Sequence, residues 1–174
     1  INQMKLLKEG SQFALFIIVM LLLRVYVWQP VIVEGHSMDP TLADKERLVI
    51  IKTARIKRQD IVVAKEYNKE DQSTKNIVKR VIGMPGDTIS YNNDVLTVNG
   101  KVIAEPYLTN YQKQLATDKL QQTYQFNSFF QSLGKNAKSF TMSATGQTDF
   151  TVKVPEGQYF LMGDNRLVSQ DSRQ

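Results

Sequence analysis

The chain has 174 residues, 42% of them hydrophobic and 22% charged, a balance that suits one compact domain with an appendage and excludes a disordered or polytopic chain. Cysteine is absent and His36 is the only histidine, which excludes a disulfide scaffold, a thiol nucleophile, cysteine-ligated metals and multi-histidine zinc or iron sites. The net charge of +5 is a poor pointer to nucleic acid. Lys5, Lys8 and Arg24 against Glu9 put part of it in the first 30 residues, and the densest basic stretch, Lys52, Arg55, Lys57 and Arg58, reads as a solvated loop with no nucleic-acid motif beside it.

Hydrophobicity concentrates near the N-terminus. Phe13 to Leu23 reads FALFIIVMLLL, and the apolar stretch from Gln12 to Trp28, broken only by Arg24, would span ~25 Å as a helix, near the lower limit for crossing a bilayer. Arg24, Tyr26 and Trp28 suit the headgroup level, and Pro30 is expected to end the helix. A cleavable leader should show small residues after the apolar run, where this chain has RVYVWQPVIV. A buried helix of a soluble protein should show a polar face. A single membrane anchor is therefore expected, with Lys5 and Lys8 holding the N-terminus in the cytoplasm and the remainder outside.

After Pro30 short apolar runs alternate with turn signals, the pattern of a mostly β domain. Strands are expected at 31–34, 47–51, 61–67, 76–84, 88–91, 95–98, 101–104, 150–154 and 158–162, with Asn99-Gly100 making a type I′ hairpin turn. Residues 105–149 are richer in Gln, Asn, Lys, Ser and Thr but carry seven aromatic residues, and read as an inserted, more polar subdomain outside the main sheet.

The candidates for chemistry are few. Ser37 lies in GHSMDP (35–40), an exposed turn after a strand, where a serine is ordinarily a turn residue. Its neighbour His36 is poorly placed as a base, because adjacent side chains on an extended chain point to opposite sides, and no second histidine exists for a Ser-His-Asp triad. Lysine is the remaining base. Lys79, in NIVKRVI (76–82), shares its strand face with Ile77 and Val81, whereas Arg80 faces the other way. A free lysine is only ~0.04% neutral at pH 7, and burial is what lets such a group shed its proton near neutrality. An edge strand with two solvated cations is the plainer reading of the same segment. A Ser-x-x-Lys match at Ser132 to Lys135 lies in the polar insert without its companion motifs and reads as chance.

Four segments together, GHSMDPTL (35–42), QDIVVAKEY (59–67), IVKRVIGMPGD (77–87) and VPEGQYFLMGDNRLVSQDSR (154–173), resemble the bacterial type I signal peptidases, in that order and behind an apolar helix. The resemblance implies a mostly β catalytic core, of the architecture signal peptidases share with LexA-type proteins, carrying an inserted smaller subdomain and preceded by one N-terminal transmembrane helix. The expected organisation is a short cytoplasmic N-terminus at 1–11, a transmembrane helix at 12–29, catalytic core at 30–104, a variable insert at 105–149 and a second core segment at 150–174 that stops short of the family's last strands. The implied activity is a membrane-anchored serine endopeptidase that cuts signal peptides from exported preproteins after small-x-small sites. Ser37 falls on the family's nucleophile and Lys79 on its general base. Ser169 falls on the serine that orients the lysine, and Asp171 and Arg173, with Asp164 nearby, on a supporting charged network. The implied partners are preprotein signal peptides and the lipid bilayer, with no cofactor, metal or nucleic acid. Gly35 stands where some members carry a serine whose hydroxyl is a second oxyanion donor; the resemblance implies that glycine there is the variant of Gram-positive members, which leaves the second donor unassigned. Two other readings are a self-cleaving LexA-type protein, which should begin with a helix-turn-helix, and a non-catalytic signal-peptidase-like chaperone for pilus or surface-protein assembly, which should lack Ser37 or Lys79.

Overall fold

A computed structural model describes residues 2–68 and 71–174. It divides into two compact units, Ile1–Ile32 with Arg47–Arg55, and Val33–Glu46 with Ile56–Gln174.

In the first unit, helix α1 runs over Asn2–Tyr26, about 37 Å at ~1.5 Å per residue. It is long and apolar enough to cross a membrane, and none of it is buried inside the protein, unlike a core helix of a soluble domain. The helix begins ten residues before the expected start at 12 and stops before Pro30: Trp28 and Gln29, expected in the helix, belong to strand β1 (Trp28–Ile32) instead. The backbone turns earlier because β1 pairs antiparallel with β2 (Arg47–Ile51), Trp28 opposite Ile51 and Ile32 opposite Arg47. Lys52 fastens the junction, its N–H donating to Val27 O (2.7 Å) and its Nζ to Val25 O (2.8 Å).

The second unit is built on two antiparallel sheets. Strands β3 (Ile61–Tyr67), β4 (Thr74–Gly83) and β9 (Phe160–Met162) form one, in the order β3-β4-β9. Strands β5 (Thr88–Asn92), β6 (Val95–Val98), β7 (Lys101–Ile103) and β8 (Asp149–Lys153) form the other, in the order β7-β6-β5-β8. Ile82, Phe160 and Met162 from the first sheet and Ile89, Tyr91, Leu96 and Val98 from the second share one buried cluster with Val154. Each such side chain contributes about 1.5–3 kcal/mol by leaving water. Asn99 and Gly100 both adopt positive φ, 48° and 81°, as the type I′ turn between β6 and β7 requires. In the basic stretch, Arg58 is held between Ile82 O and Asp87 Oδ2, both at 2.8 Å, while Lys52, Arg55 and Lys57 are exposed.

The segment expected as a polar insert leaves from β7 and returns as β8, the two edges of one sheet. A 3-10 turn (Pro106–Leu108) leads into α2 (Thr109–Asp118), followed by α3 (Ser128–Asn136). Asn127 caps α3, its side chain accepting from Phe130 N. Polar side chains cover the outside, but Leu108, Tyr111, Leu115, Leu120, Tyr124, Ala137 and Phe140 form a buried cluster of their own, with Leu167 and Val168 packed against it. Ser132 and Lys135 of the Ser-x-x-Lys match are exposed on α3.

Arg166 locks this insert to the sheets. Its side chain is wholly buried, and that of Glu105 is 4% exposed. Arg166 Nη2 donates to Glu105 Oε1 (2.5 Å) and Nη1 to the Tyr91 hydroxyl (2.9 Å) and Thr141 Oγ1 (3.1 Å). The Tyr91 and Tyr107 hydroxyls donate to Glu105 in turn, at 3.0 Å and 2.8 Å. Removing one partner of such a pair leaves an uncompensated buried charge. Arg166→Ala is expected to cost about 3–5 kcal/mol, read as a lowered midpoint when the chain is unfolded by urea in detergent.

Candidate active site

The strand carrying Lys79 is central, not an edge: β4 lies between β3 and β9. From Lys79 to Gly83 every residue is buried, so both faces are covered and the strict in-out alternation expected of this segment breaks down. Val62 of β3 stands opposite Lys79, and on the other side Arg80 pairs with Met162. Extending that register by one residue brings Lys79 level with Gly163.

Gly163 is where the site closes. A Cβ there would collide with Ser37 O and with Ser169 Cβ and Oγ, so the missing side chain is what lets three chain segments meet. Gly163 N donates to Asp171 Oδ2 (3.1 Å) and Asn165 N to Ser37 O (3.0 Å). The Ser37 turn thus rests on the residues that follow β9. Ser37 is partly exposed, and among the described residues neither its Oγ nor its N–H is engaged in a hydrogen bond.

Four strongly basic side chains converge here, and three are paired with carboxylates. Arg80 forms a two-pronged bridge to Asp164, Nε to Oδ1 at 2.8 Å and Nη2 to Oδ2 at 2.6 Å, with its guanidinium 3.9 Å from the centre of the Tyr107 ring. Arg173 does the same to Asp171, at 2.7 Å and 2.9 Å. Arg166 has Glu105. Lys79, only 4% exposed, has no carboxylate within 4 Å and no hydrogen bond among the described residues. Since no sealed side-chain nitrogen or oxygen among the described residues lacks a partner, its Nζ must touch accessible space. Burial holds the Lys79 ammonium below the ordinary lysine range, opposed by the charge of Asp171 and then of Glu66 and reinforced by Arg173. For Asp171 burial works against ionisation, but the Arg173 guanidinium, the Gly163 N–H and the Ser169 hydroxyl outweigh it and keep the carboxyl below its usual range.

Of the residues singled out from sequence, Ser37, Ser169 and Asp171 all border Gly163. Arg173 braces the last turn, donating also to Met142 O (3.0 Å) and Arg166 O (2.8 Å). Asp164 lies in a separate pair from Asp171 and Arg173: it holds Arg80 and accepts from Thr41 Oγ1 at 2.5 Å, four residues beyond Ser37. His36 turns away to Asp39, Nδ1 to Oδ2 at 2.9 Å, and its ring packs on Phe126 and Phe130 at 4.9 Å and 5.9 Å between centroids. Sequence reasoning passed over Asn165, Arg166 and Tyr124, whose importance rests wholly on contacts across the fold. Among the described residues no group of three or more His, Asp or Glu is arranged to hold a metal ion.

Gly163→Ala forces the backbone oxygen of Ser37 to move, and overpacking of this kind costs about 1–3 kcal/mol; the thermal midpoint is expected to fall accordingly. Lys79 is charged at a cost in the folded chain. Its folded pKa is depressed, so the unfolded chain binds the extra proton between the lowered folded value and the ordinary value near ~10.4, and stability rises with pH across that window. Lys79→Met should therefore stabilise the chain at neutral pH, with the gain fading as pH approaches the ordinary lysine range, measured by urea midpoints at several pH values.

The model for "Signal peptidase, peptidase S26" matches residues 6–174. The signal peptidase I of Streptococcus pneumoniae serotype 4 is 50% identical over 174 residues, covering 96% of this chain and 83% of that protein. Signal peptidase I T of Bacillus subtilis (strain 168) is 40% identical over 172 residues, covering 96% and 75%. A crystal structure of a signal peptidase I from Enterococcus faecalis V583 aligns with a TM-score of 0.47 at 28% identity, covering 69% of this chain and 86% of that one. A match from residue 6 to the last residue, with half of all positions shared with a relative across nearly the whole chain, places this protein in the signal peptidase family, peptidase S26.

Proposed function

We propose that the chain is a membrane-anchored serine endopeptidase that removes N-terminal signal peptides through a Ser37–Lys79 pair. The observation that carries this reading is Lys79: a buried lysine without a carboxylate, among arginines that each have one. A structural cation would be paired. An amine whose charged form burial disfavours gives up its proton more readily than an ordinary lysine, as a general base requires.

In the proposed reaction the neutral Lys79 amine takes the proton of Ser37 Oγ as that oxygen adds to the scissile carbonyl carbon. The oxyanion so formed needs a fixed donor, and the unengaged Ser37 N–H supplies one. Collapse breaks the C–N bond, and the Lys79 ammonium returns its proton to the departing amine, the new N-terminus of the mature protein. The signal peptide is left as an ester on Ser37. Lys79 then deprotonates a water that attacks the ester, releasing the signal peptide acid and restoring the serine. Ser169 is assigned to orient Lys79, and Asp171 with Arg173 to hold Ser169. Selectivity for small residues at positions −1 and −3 follows from family membership.

Helix α1 supplies the anchor in this reading. Lys5 and Lys8 lie in its first two turns, ahead of the apolar run, which favours a cytoplasmic N-terminus and a catalytic unit on the extracytoplasmic side.

Ser37→Ala and Lys79→Ala should each lower cleavage of a preprotein with an Ala-x-Ala site by at least about 10³-fold, with the fold intact by circular dichroism. Full activity in Lys79→Ala would rule out the mechanism. The rate of the unaltered chain should fall on acidification along a limb set by the depressed pKa of Lys79; a profile rising only in the ordinary lysine range contradicts it.

A further inference from the structure

Asn165 holds the two carbonyls that bracket the Ser37 N–H. Its Nδ2 donates to His36 O at 3.0 Å and its backbone N to Ser37 O at 3.0 Å. His36 O also accepts from Asp39 N at 3.3 Å within the turn. The carbonyl of His36 and the N–H of Ser37 belong to one planar trans peptide and point in opposite directions. Fixing the carbonyl therefore fixes the direction of the N–H, which is driven away from Asn165 and engages nothing else among the described residues.

An asparagine amide can present either end, so something must choose. Tyr124 does so: its hydroxyl donates to Asn165 Oδ1, leaving Nδ2 for His36 O. Burial raises the pKa of the Tyr124 phenol, so it stays a donor throughout the working pH range. Its ring is fixed in turn by edge-on contacts with Tyr111, Phe126 and Phe130, at 6.1, 6.4 and 5.7 Å between centroids. Phe126 and Phe130 are the rings on which His36 rests. The insert thus touches the nucleophile turn twice, through the hydroxyl–amide relay and through the imidazole.

We infer that Tyr124 and Asn165 are positioning residues for the oxyanion donor, and that the insert between β7 and β8 sets the orientation of the 36–37 peptide. The inference rests on the Ser37–Lys79 reading, since an oxyanion at Ser37 is what gives the N–H a task. Neither residue touches substrate or takes a proton, so their loss acts on the transition state and spares ground-state binding.

The test uses the full chain in detergent and an internally quenched peptide with Ala at −3 and −1. Losing an oxyanion donor outright costs about 10²–10³ in kcat. Tyr124→Phe keeps the ring contacts and only frees the amide to turn, so kcat should fall about tenfold, with KM within about twofold and the acidic limb of the pH profile unmoved. Asn165→Asp puts an oxygen where Nδ2 faces His36 O and should lower kcat further, by about 10²-fold. A general loosening of the site would instead raise KM and displace the limb set by Lys79; that pattern overturns the inference. So does wild-type kcat in Tyr124→Phe while Ser37→Ala and Lys79→Ala are inactive, which leaves the Ser–Lys reading standing. Undiminished cleavage by Lys79→Ala overturns both.

Discussion

The close approach at Gly163 is the contact on which the rest of the site depends. Four consecutive residues after β9 each hold a different part of the molecule. Gly163, by lacking a side chain, admits the Ser37 carbonyl and Ser169 and donates to Asp171. Asp164 grips Arg80 on the central strand and Thr41 beyond the Ser37 turn. Asn165 clasps the carbonyls of residues 36 and 37. Arg166 plugs into the Glu105, Tyr91 and Thr141 cluster at the root of the insert. Residues 162–166 are all buried, so these polar groups have no water to fall back on, and each must find its partner in the protein. Placement of the serine, the lysine strand and the insert is therefore one problem with one solution.

The electrostatics follow from the same crowding. A buried guanidinium is tolerated when a carboxylate meets it and its remaining donors find acceptors: Arg80 and Arg173 are each held by a two-pronged carboxylate, and Arg166 by a single bond to Glu105 with its other donors on Gly163 O, Tyr91 and Thr141. With those carboxylates committed, none among the described residues remains within bridging distance of Lys79, which feels Asp171 only as a more distant charge already paired with Arg173. The Arg173–Asp171 pair thus acts on the lysine indirectly, by occupying the anion whose charge most favours its protonated form. Arg173 also acts directly, since its own positive charge presses on Lys79.

Local pattern made the β framework readable from sequence. Strands at 47–51, 61–67 and 95–98 fall where apolar runs and turn residues place them, and Asn99-Gly100 turns as its chemistry demands. Lys79 and Arg80 stood out because a cation inside an apolar strand is a local anomaly. Helix boundaries were less legible: the apolar run marks where lipid could lie, but hydrogen bonding continues through polar residues to Asn2 and stops at Tyr26, where pairing of β1 with β2 takes over. Asn165, Arg166 and Tyr124 were invisible for a different reason. Their significance lies in partners 129, 61 and 41 positions away, and no local spacing encodes such distances. The insert stands outside the main sheet as its composition suggests, but that composition, of a solvated surface, did not show which of its aromatic residues form an interior.

That interior gives the insert a different standing from a decoration on one edge of a sheet. Its buried cluster is completed by Leu167 and Val168, which lie between Arg166 and Ser169 on the chain. The insert and the segment from Gly163 to Ser169 therefore share one interior, and the aromatic cluster reaches the turn that carries Ser37 through the Tyr124–Asn165 hydrogen bond and the His36 ring. Phe129 remains largely exposed beside it, whereas Tyr124, Phe126, Phe130 and Phe140 are tied together by ring contacts. Within the insert it is the Tyr124 hydroxyl, through Asn165, that reaches the backbone of residues 36 and 37.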